Sequence, residues 1–359
     1  MKNQISYLRE TIARLIAYYR KQETLSTQAE RERIWFLIDR GIDRKIRRRR
    51  LRRLAAVMTA AAVIVGCIWI VSRQKSITER ERKPIDIMEI AAQMICNTTS
   101  TDEIRLIVSP TEMVPVDKGA VVIYSPNGIS VNEEKITENE TRSEEMEYDQ
   151  ILVPKGKYTR LILADGSSMF INAGTSVVFP KKFREDKREI FVDGEVYLDV
   201  MHDEQAPFVV KTVGFEVQVQ GTAFNINAYS SSLEINEVVL VRGKVNVKSK
   251  SGKELTLLPN NKAKIYHSGE MEKSNVNAAD YTLWTQGILN LRIAPLSAIL
   301  TKLSRYYGVD ITCESNIADI DIAGKIDLKC SVDEALKRIS ATGGFLVSKR
   351  GDTYGLKAK

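Results

Sequence analysis

Glu195-Val-Tyr-Leu-Asp-Val200 alternates polar and apolar residues without a break, and Phe215-Glu-Val-Gln-Val-Gln220 repeats the alternation in the opposite phase. Successive side chains of a strand point to opposite faces, so Val196, Leu198 and Val200 should face a core while Glu195, Tyr197 and Asp199 face away from it. Val245-Asn-Val-Lys248 follows the same rule. Turn chemistry at Asp165-Gly166, Asp193-Gly194, Ser251-Gly252 and Ser268-Gly269 separates the runs. Residues 150–267 therefore read as all-β. Many short strands at this spacing fit a sandwich, a jelly roll or a β-helix-like stack equally well.

Downstream the period changes. A short strand over 288–291 precedes Pro295 at a helix start, and Leu296, Ile299, Leu300 and Leu303 form a helical stripe that Gly308 ends before a strand over 310–313. A second copy follows: an extended segment at 320–326, a capping box of Ser331 and Glu334, a stripe of Val332, Ala335, Leu336 and Ile339, and a stop at Gly343. Segments 345–349 and 353–357 then close as a hairpin. Two β-α-β units give a compact α+β domain over residues 281–359.

Upstream, residues 73–102 read as a charged linker with a short helix near 85–95, and β patterning begins at 103, so the all-β domain is bounded at 103–280. The acidic stretch 133–148 reads as an exposed loop. Residues 54–72 run 19 positions without a charge, directly after six arginines in residues 47–53. As a helix this run rises about 28 Å, close to the hydrocarbon thickness of a bilayer, and it is too long and too far along the chain for a signal peptide. The arginines place residues 1–53 on the cytoplasmic side and residues 73–359 on the outer side of the membrane. Charge follows the same division: residues 1–53 hold 16 Lys and Arg against 6 Asp and Glu, whereas the remainder holds 37 against 40. The basic run next to the span suits anionic lipid, and with no groove-reading motif beside it direct nucleic-acid binding is not expected.

In the cytoplasmic segment, Ile5, Leu8, Ile12, Leu15, Ile16 and Tyr19 fall on one face of a helix. Thr27 and Glu30 open a second helix, with Ile34, Trp35, Ile38 and Ile42 on its apolar face. Segments this short bury their own stripes poorly, which points to a protein partner. The competing reading is a hairpin lying on the membrane, anchored by Trp35 and Phe36.

Catalytic chemistry is sparse. His202 and His267 are the two histidines, neither at metal-ligand spacing, so no metal or cofactor is expected. Glu195 and Asp199 share a strand face, but one turned to solvent with no aromatic pocket, which argues against an acid-base pair and against an enzyme. Cys313 and Cys330 would close a loop of about 16 residues if bonded in an oxidising compartment; two buried free thiols account for them equally well.

Six stretches resemble the FecR family of membrane-bound anti-sigma factors, in the form common in Bacteroides-like bacteria: Leu161-Ile-Leu-Ala-Asp-Gly166, Ile171-Asn-Ala-Gly-Thr175, Val192-Asp-Gly-Glu-Val-Tyr-Leu-Asp-Val200, Pro207-Phe-Val-Val210, Val219-Gln-Gly-Thr-Ala-Phe-Asn-Ile226 and Leu240-Val-Arg-Gly-Lys-Val245. Trp284-x-x-Gly287, Ala294-Pro-Leu296 and Leu303-Ser-Arg-Tyr-Tyr307 continue the series. The chain departs from the family at Leu258-Pro-Asn-Asn-Lys262, where the asparagine pair replaces a glycine, and in carrying only Trp35 in its cytoplasmic segment. The resemblance implies a single-pass anti-sigma factor. Its cytoplasmic helices would hold an extracytoplasmic-function sigma factor, through Ile5, Leu8, Ile12, Leu15, Ile16, Tyr19, Trp35 and Ile38. The C-terminal domain, similar to the signalling domain of TonB-dependent transducers, would meet an outer-membrane transducer through an open sheet edge at Thr353, Tyr354 and Leu356, with regulatory proteases completing the relay. The alternative is a membrane-tethered periplasmic binding or scaffolding protein of the cell envelope.

Overall fold

The computed structural model describes residues 2–21, 32, 36, 66, 69, 86–96, 102–108, 112–125, 128–136, 148–232 and 234–359. The chain divides into two units, Met1–Pro84 and Ile85–Lys359. In the first, Lys2–Lys21 is a helix that carries Ile5, Leu8, Ile12, Leu15, Ile16 and Tyr19. Leu15 and Tyr18 are exposed, and Arg14 pairs with Glu10 one turn away at 3.3 Å. Trp35, Ile38 and all of 54–72 except Gly66 and Trp69 lie outside the described residues. Among the described residues no helix is long and apolar enough to cross a membrane.

The second unit is dominated by an all-β domain of two sheets around one core. Their common member is the 12-residue strand Arg188–Asp199. Its first half pairs with Phe208–Lys211 and Thr175–Pro180 in one sheet, and its second half with Ala223–Ala228 and Ser168–Ile171 in the other. Gly194 sits where the strand changes sheets, at φ +138°, and a Cβ there would run into Thr175. Only glycine fits that crossing. Val192, Val196 and Leu198 face the shared core with Phe179, Phe208 and Phe224, as the alternation requires. Among the described residues the pairings link 18 strands into one continuous all-β body. Tyr124 from one layer donates to Asp149 of the other at 2.6 Å and meets Phe179 edge-on at 5.0 Å.

The first family stretch, 161–166, is held by a buried ion pair. Arg188 donates to Asp165 at 2.7 Å, to Met201 O at 2.9 Å and to Ala206 O at 2.8 Å, while Ser167 Oγ also donates to Asp165. The Asp165-Gly166 turn is thereby tied to the segment that enters Phe208–Lys211. His202 is exposed and its backbone presses on Gly221, where a Cβ would stand 2.6 Å from His202 Cα.

Some expectations change. The loop expected over 133–148 begins instead as a strand, Glu134–Ile136, paired with Gly128–Val131 through a turn in which Asn132 and Glu133 take positive φ. The short helix, Ile87–Cys96, packs Ile87 and Ala91 onto Val178 and Phe191, so it belongs to the β body rather than to a free linker.

The C-terminal domain places helices Leu296–Tyr307 and Val332–Gly343 around a second core built from Leu296, Ile299, Leu300, Leu303, Leu336 and Ile339. Ser331 Oγ accepts from Glu334 N at 3.2 Å, which forms the expected cap. The helix stop is Gly344 at φ +71°, one residue past the expected Gly343, which instead leaves room for the Phe345 ring. A three-stranded sheet follows in the order Asp310–Cys313, Thr353–Ala358, Phe345–Arg350. The final strand is therefore central, paired on both sides, because Asp310–Cys313 adds in parallel to the face expected to be open. The edge on the hairpin side is Phe345–Arg350, with Leu346 and Val347 exposed.

Candidate functional site

Most of the quoted stretches converge on one place, the seam where the C-terminal domain covers the outer face of a β sheet. Asn172, Glu195 and Asn225 stand on neighbouring strands of that face. Glu195 accepts from Asn172 Nδ2 at 2.8 Å and from Asn225 Nδ2 at 3.2 Å, and Asn225 Oδ1 accepts from Trp284 Nε1 at 2.9 Å. The solvent face expected for Glu195 is thus covered at its end of the strand. Asp199, at the other end, is half-buried and pairs with the exposed Arg242 at 2.7 Å. The two carboxylates serve separate partners.

Arg305, from helix Leu296–Tyr307, enters the seam beside this row. Its guanidinium lies 3.5 Å from the centre of the Tyr229 ring and donates to Glu234 at 2.9 Å, with its own side chain 11% exposed. Tyr229 donates to Ala173 O at 2.9 Å. Burial, followed by the charge of Glu195, pushes the Tyr229 hydroxyl well above its usual value, so it keeps its proton. Burial opposes the charge on Arg305, but Tyr229 and Glu234 outweigh it and its pKa rises. Such a set holds two surfaces together.

Backbone closes the same joint. Gly156 N donates to Arg305 O at 2.8 Å, and Gly156 and Gly308 touch so closely that a Cβ on Gly308 would stand 3.2 Å from Gly156 Cα. Both take positive φ, so side chains are excluded twice over. At the exit of the β domain, Asn260 adopts φ +63° and its side chain accepts from Ala278 N at 3.1 Å. The asparagine that replaces a glycine thus keeps the turn and adds a tie that glycine lacks. Arg292 stacks on Tyr281 at 3.4 Å beside it.

The other expected residues do not gather here. Thr353 is exposed, whereas Tyr354 and Leu356 are buried in the C-terminal core, and Tyr354 donates to Asp333 at 3.2 Å. Cys313 and Cys330 are both free thiols, and Cys330 Sγ donates to Asp327 O at 2.8 Å. Among the described residues no three His, Cys, Asp or Glu side chains form a group that would hold a metal ion. The sequence reading missed the pairing role of Tyr229, Glu234 and Arg305. Its one visible trace was asparagine and glutamate at outward positions of strands, where such residues are uncommon unless something covers them.

The chain matches the family model described as FecR protein over residues 149–254 and that described as FecR, C-terminal, over residues 288–355. A crystal structure at 1.65 Å of a candidate anti-sigma factor from Parabacteroides distasonis ATCC 8503 is similar at 32% identity and a TM-score of 0.55, covering 58% of this chain and 99% of that one. A second crystal structure with the same description, at 2.50 Å, matches at 31% identity and 0.55, covering 59% of this chain and 99% of that one. Among curated proteins none matches.

Proposed function

Because the chain belongs to the FecR family of anti-sigma factors, we propose that it restrains an extracytoplasmic-function sigma factor from the inner membrane and releases it on a signal received in the periplasm. The observation that carries this reading is that five of the family stretches, through Asn172, Glu195, Asn225, Trp284 and Arg305, meet in one interdomain clasp, in a chain that shares 32% identity with the candidate anti-sigma factor across 99% of that protein. Helix Lys2–Lys21 would cover apolar sigma-factor surface with Ile5, Leu8, Ile12, Leu15, Ile16 and Tyr19, joined by Trp35 and Ile38. Each aliphatic side chain taken out of water contributes about 1.5–3 kcal/mol, so a few of them make a usable anchor. Residues 54–72 would span the bilayer once, with the basic run before them on the cytoplasmic leaflet.

On the periplasmic side, a TonB-dependent transducer would dock on the C-terminal domain. The edge Phe345–Arg350 suits strand addition better than Thr353, Tyr354 and Leu356, because Leu346 and Val347 are exposed there and the final strand is paired on both sides. Load at that edge would reach the β body through Arg305 and Trp284, and regulated proteolysis would then free the sigma factor. The reading assigns the protein no catalytic step.

Deleting residues 2–43 while keeping the rest of the chain tests it. A reporter of the cognate sigma factor should become constitutively active, and the sigma factor should no longer co-purify with the protein. If the truncated protein accumulates and the reporter stays silent, the chain is better described as a tethered envelope-binding protein.

A further inference from the structure

Next to the clasp the seam opens into a cavity of about 400 Å³, a volume in the range that holds small organic ligands. Its walls come from both domains: Tyr158, Arg160 and Phe170 from the β body, and Trp284, Tyr306 and Lys329 from the C-terminal domain. Among the described residues no aspartate or glutamate lines it, although residues 54–359 together carry more acidic than basic side chains. Arg160 lies over the Phe170 ring at 4.9 Å, and its Nε is buried with no hydrogen-bond partner. The rest of the side chain is half-buried and lines the cavity, where it brings a positive charge. The Lys329 stem rests on Gly287, where a Cβ would stand 3.2 Å from Lys329 Cε, which holds the ammonium near the rim. Outside the lining, the exposed Lys118 stands 5.5 Å from the Tyr158 ring and 5.8 Å from that of Tyr306.

We propose that this cavity binds a small organic carboxylate that carries a ring face, in the size range of a sugar acid or an aromatic acid. The carboxylate meets the planar guanidinium of Arg160, which suits two-point pairing. The ring lies against Trp284, Tyr306 and Phe170, and Lys329 closes the negative end. A neutral ligand leaves the charges of Arg160 and Lys329 without a counter-charge in a lining that has no carboxylate. An inorganic anion leaves four aromatic walls without contact. Trp284 belongs to both the cavity and the clasp, so occupancy would bear on the coupling of the two domains, an effect beyond the sigma-factor reading and independent of it.

Calorimetric titration of the purified full chain with D-glucuronate, 4-hydroxybenzoate, D-glucose and inorganic phosphate tests the proposal, with tryptophan emission followed in parallel. At least one of the two carboxylates should bind saturably at one site, and which one does identifies the ring. D-glucose and phosphate should bind at least about tenfold more weakly, and Arg160→Gln should weaken the carboxylate by about tenfold or more. Trp284→Phe should remove the emission change. If Arg160→Gln fails to fold, Lys329→Gln at the exposed rim carries the same prediction with a smaller loss. The proposal is overturned if neither carboxylate binds at concentrations on the order of millimolar, if D-glucose or phosphate binds as well, or if both charge variants bind like the parent protein.

Discussion

The β body and the C-terminal domain hold themselves together differently. In the β body the core is shared by two sheets, pairing segments far apart in sequence such as 168–171 with 196–199, and it encloses the Arg188–Asp165 ion pair. The C-terminal domain has a smaller core, three separate small sheets, a capped helix and an edge strand with exposed aliphatic side chains. The larger domain supports itself, while the smaller leans on the seam, where Gly156, Glu234 and Asn225 receive Gly308, Arg305 and Trp284. A domain built this way remains able to shift when something pulls on its edge, because fewer buried contacts resist local opening.

The comparison breaks most sharply at Arg188. Arg188→Ala leaves Asp165 with a buried, uncompensated charge and should cost about 3 kcal/mol or more, seen in urea denaturation as loss of the β body together with everything resting on it. An equal loss confined to the C-terminal domain would refute the hierarchy. At the seam, a double-mutant cycle of Arg305→Gln and Glu234→Gln should return a coupling of about 1–3 kcal/mol. Limited proteolysis should then separate the domains while hydrogen exchange in strand Arg188–Asp199 stays protected. Ser331→Ala removes one cap and should lower the stability of the C-terminal domain by about 1 kcal/mol, with the β body unchanged by the same exchange measurement.

The smallest effect is expected where helix Ile87–Cys96 meets the β body. Asp86 accepts from Met88 N at 3.1 Å and pairs with Lys211 at 3.2 Å, and the backbone bond is the main cause of its lowered pKa. A carboxylate whose folded pKa is depressed adds stability above its unfolded value, about 3.9, and that stability is lost as pH falls through the folded value. Asp86→Asn should therefore cost a few tenths of a kcal/mol near neutrality, given the exposure of the pair, and nothing in strong acid. Thermal melts at the two pH values check the sign.

Much of this was legible in the chain. Alternation at 195–200 and 215–220 marked strands and their buried faces, since the period of a strand is local geometry. The stripes at 296–303 and 332–339 marked helices for the same reason. Strand partners were not legible: Thr353–Ala358 reads as a hairpin arm at the end of the sheet, and it becomes central only because Asp310–Cys313 arrives from the preceding unit. Glu195 reads as a solvent residue until a second domain covers it.

The amino-acid sequence by itself determined which residues are apolar on which face, where glycine or asparagine is required for a turn, and where charge changes along the chain, because each depends on neighbours within a few positions. The tertiary structure alone decided that strand Arg188–Asp199 crosses between sheets at Gly194, that Asn172, Glu195, Asn225, Trp284 and Arg305 meet in one clasp, and that a cavity lined by Arg160 and Lys329 opens beside it. Those features join residues separated by scores of positions, and only the packing of surfaces brings them within hydrogen-bonding distance.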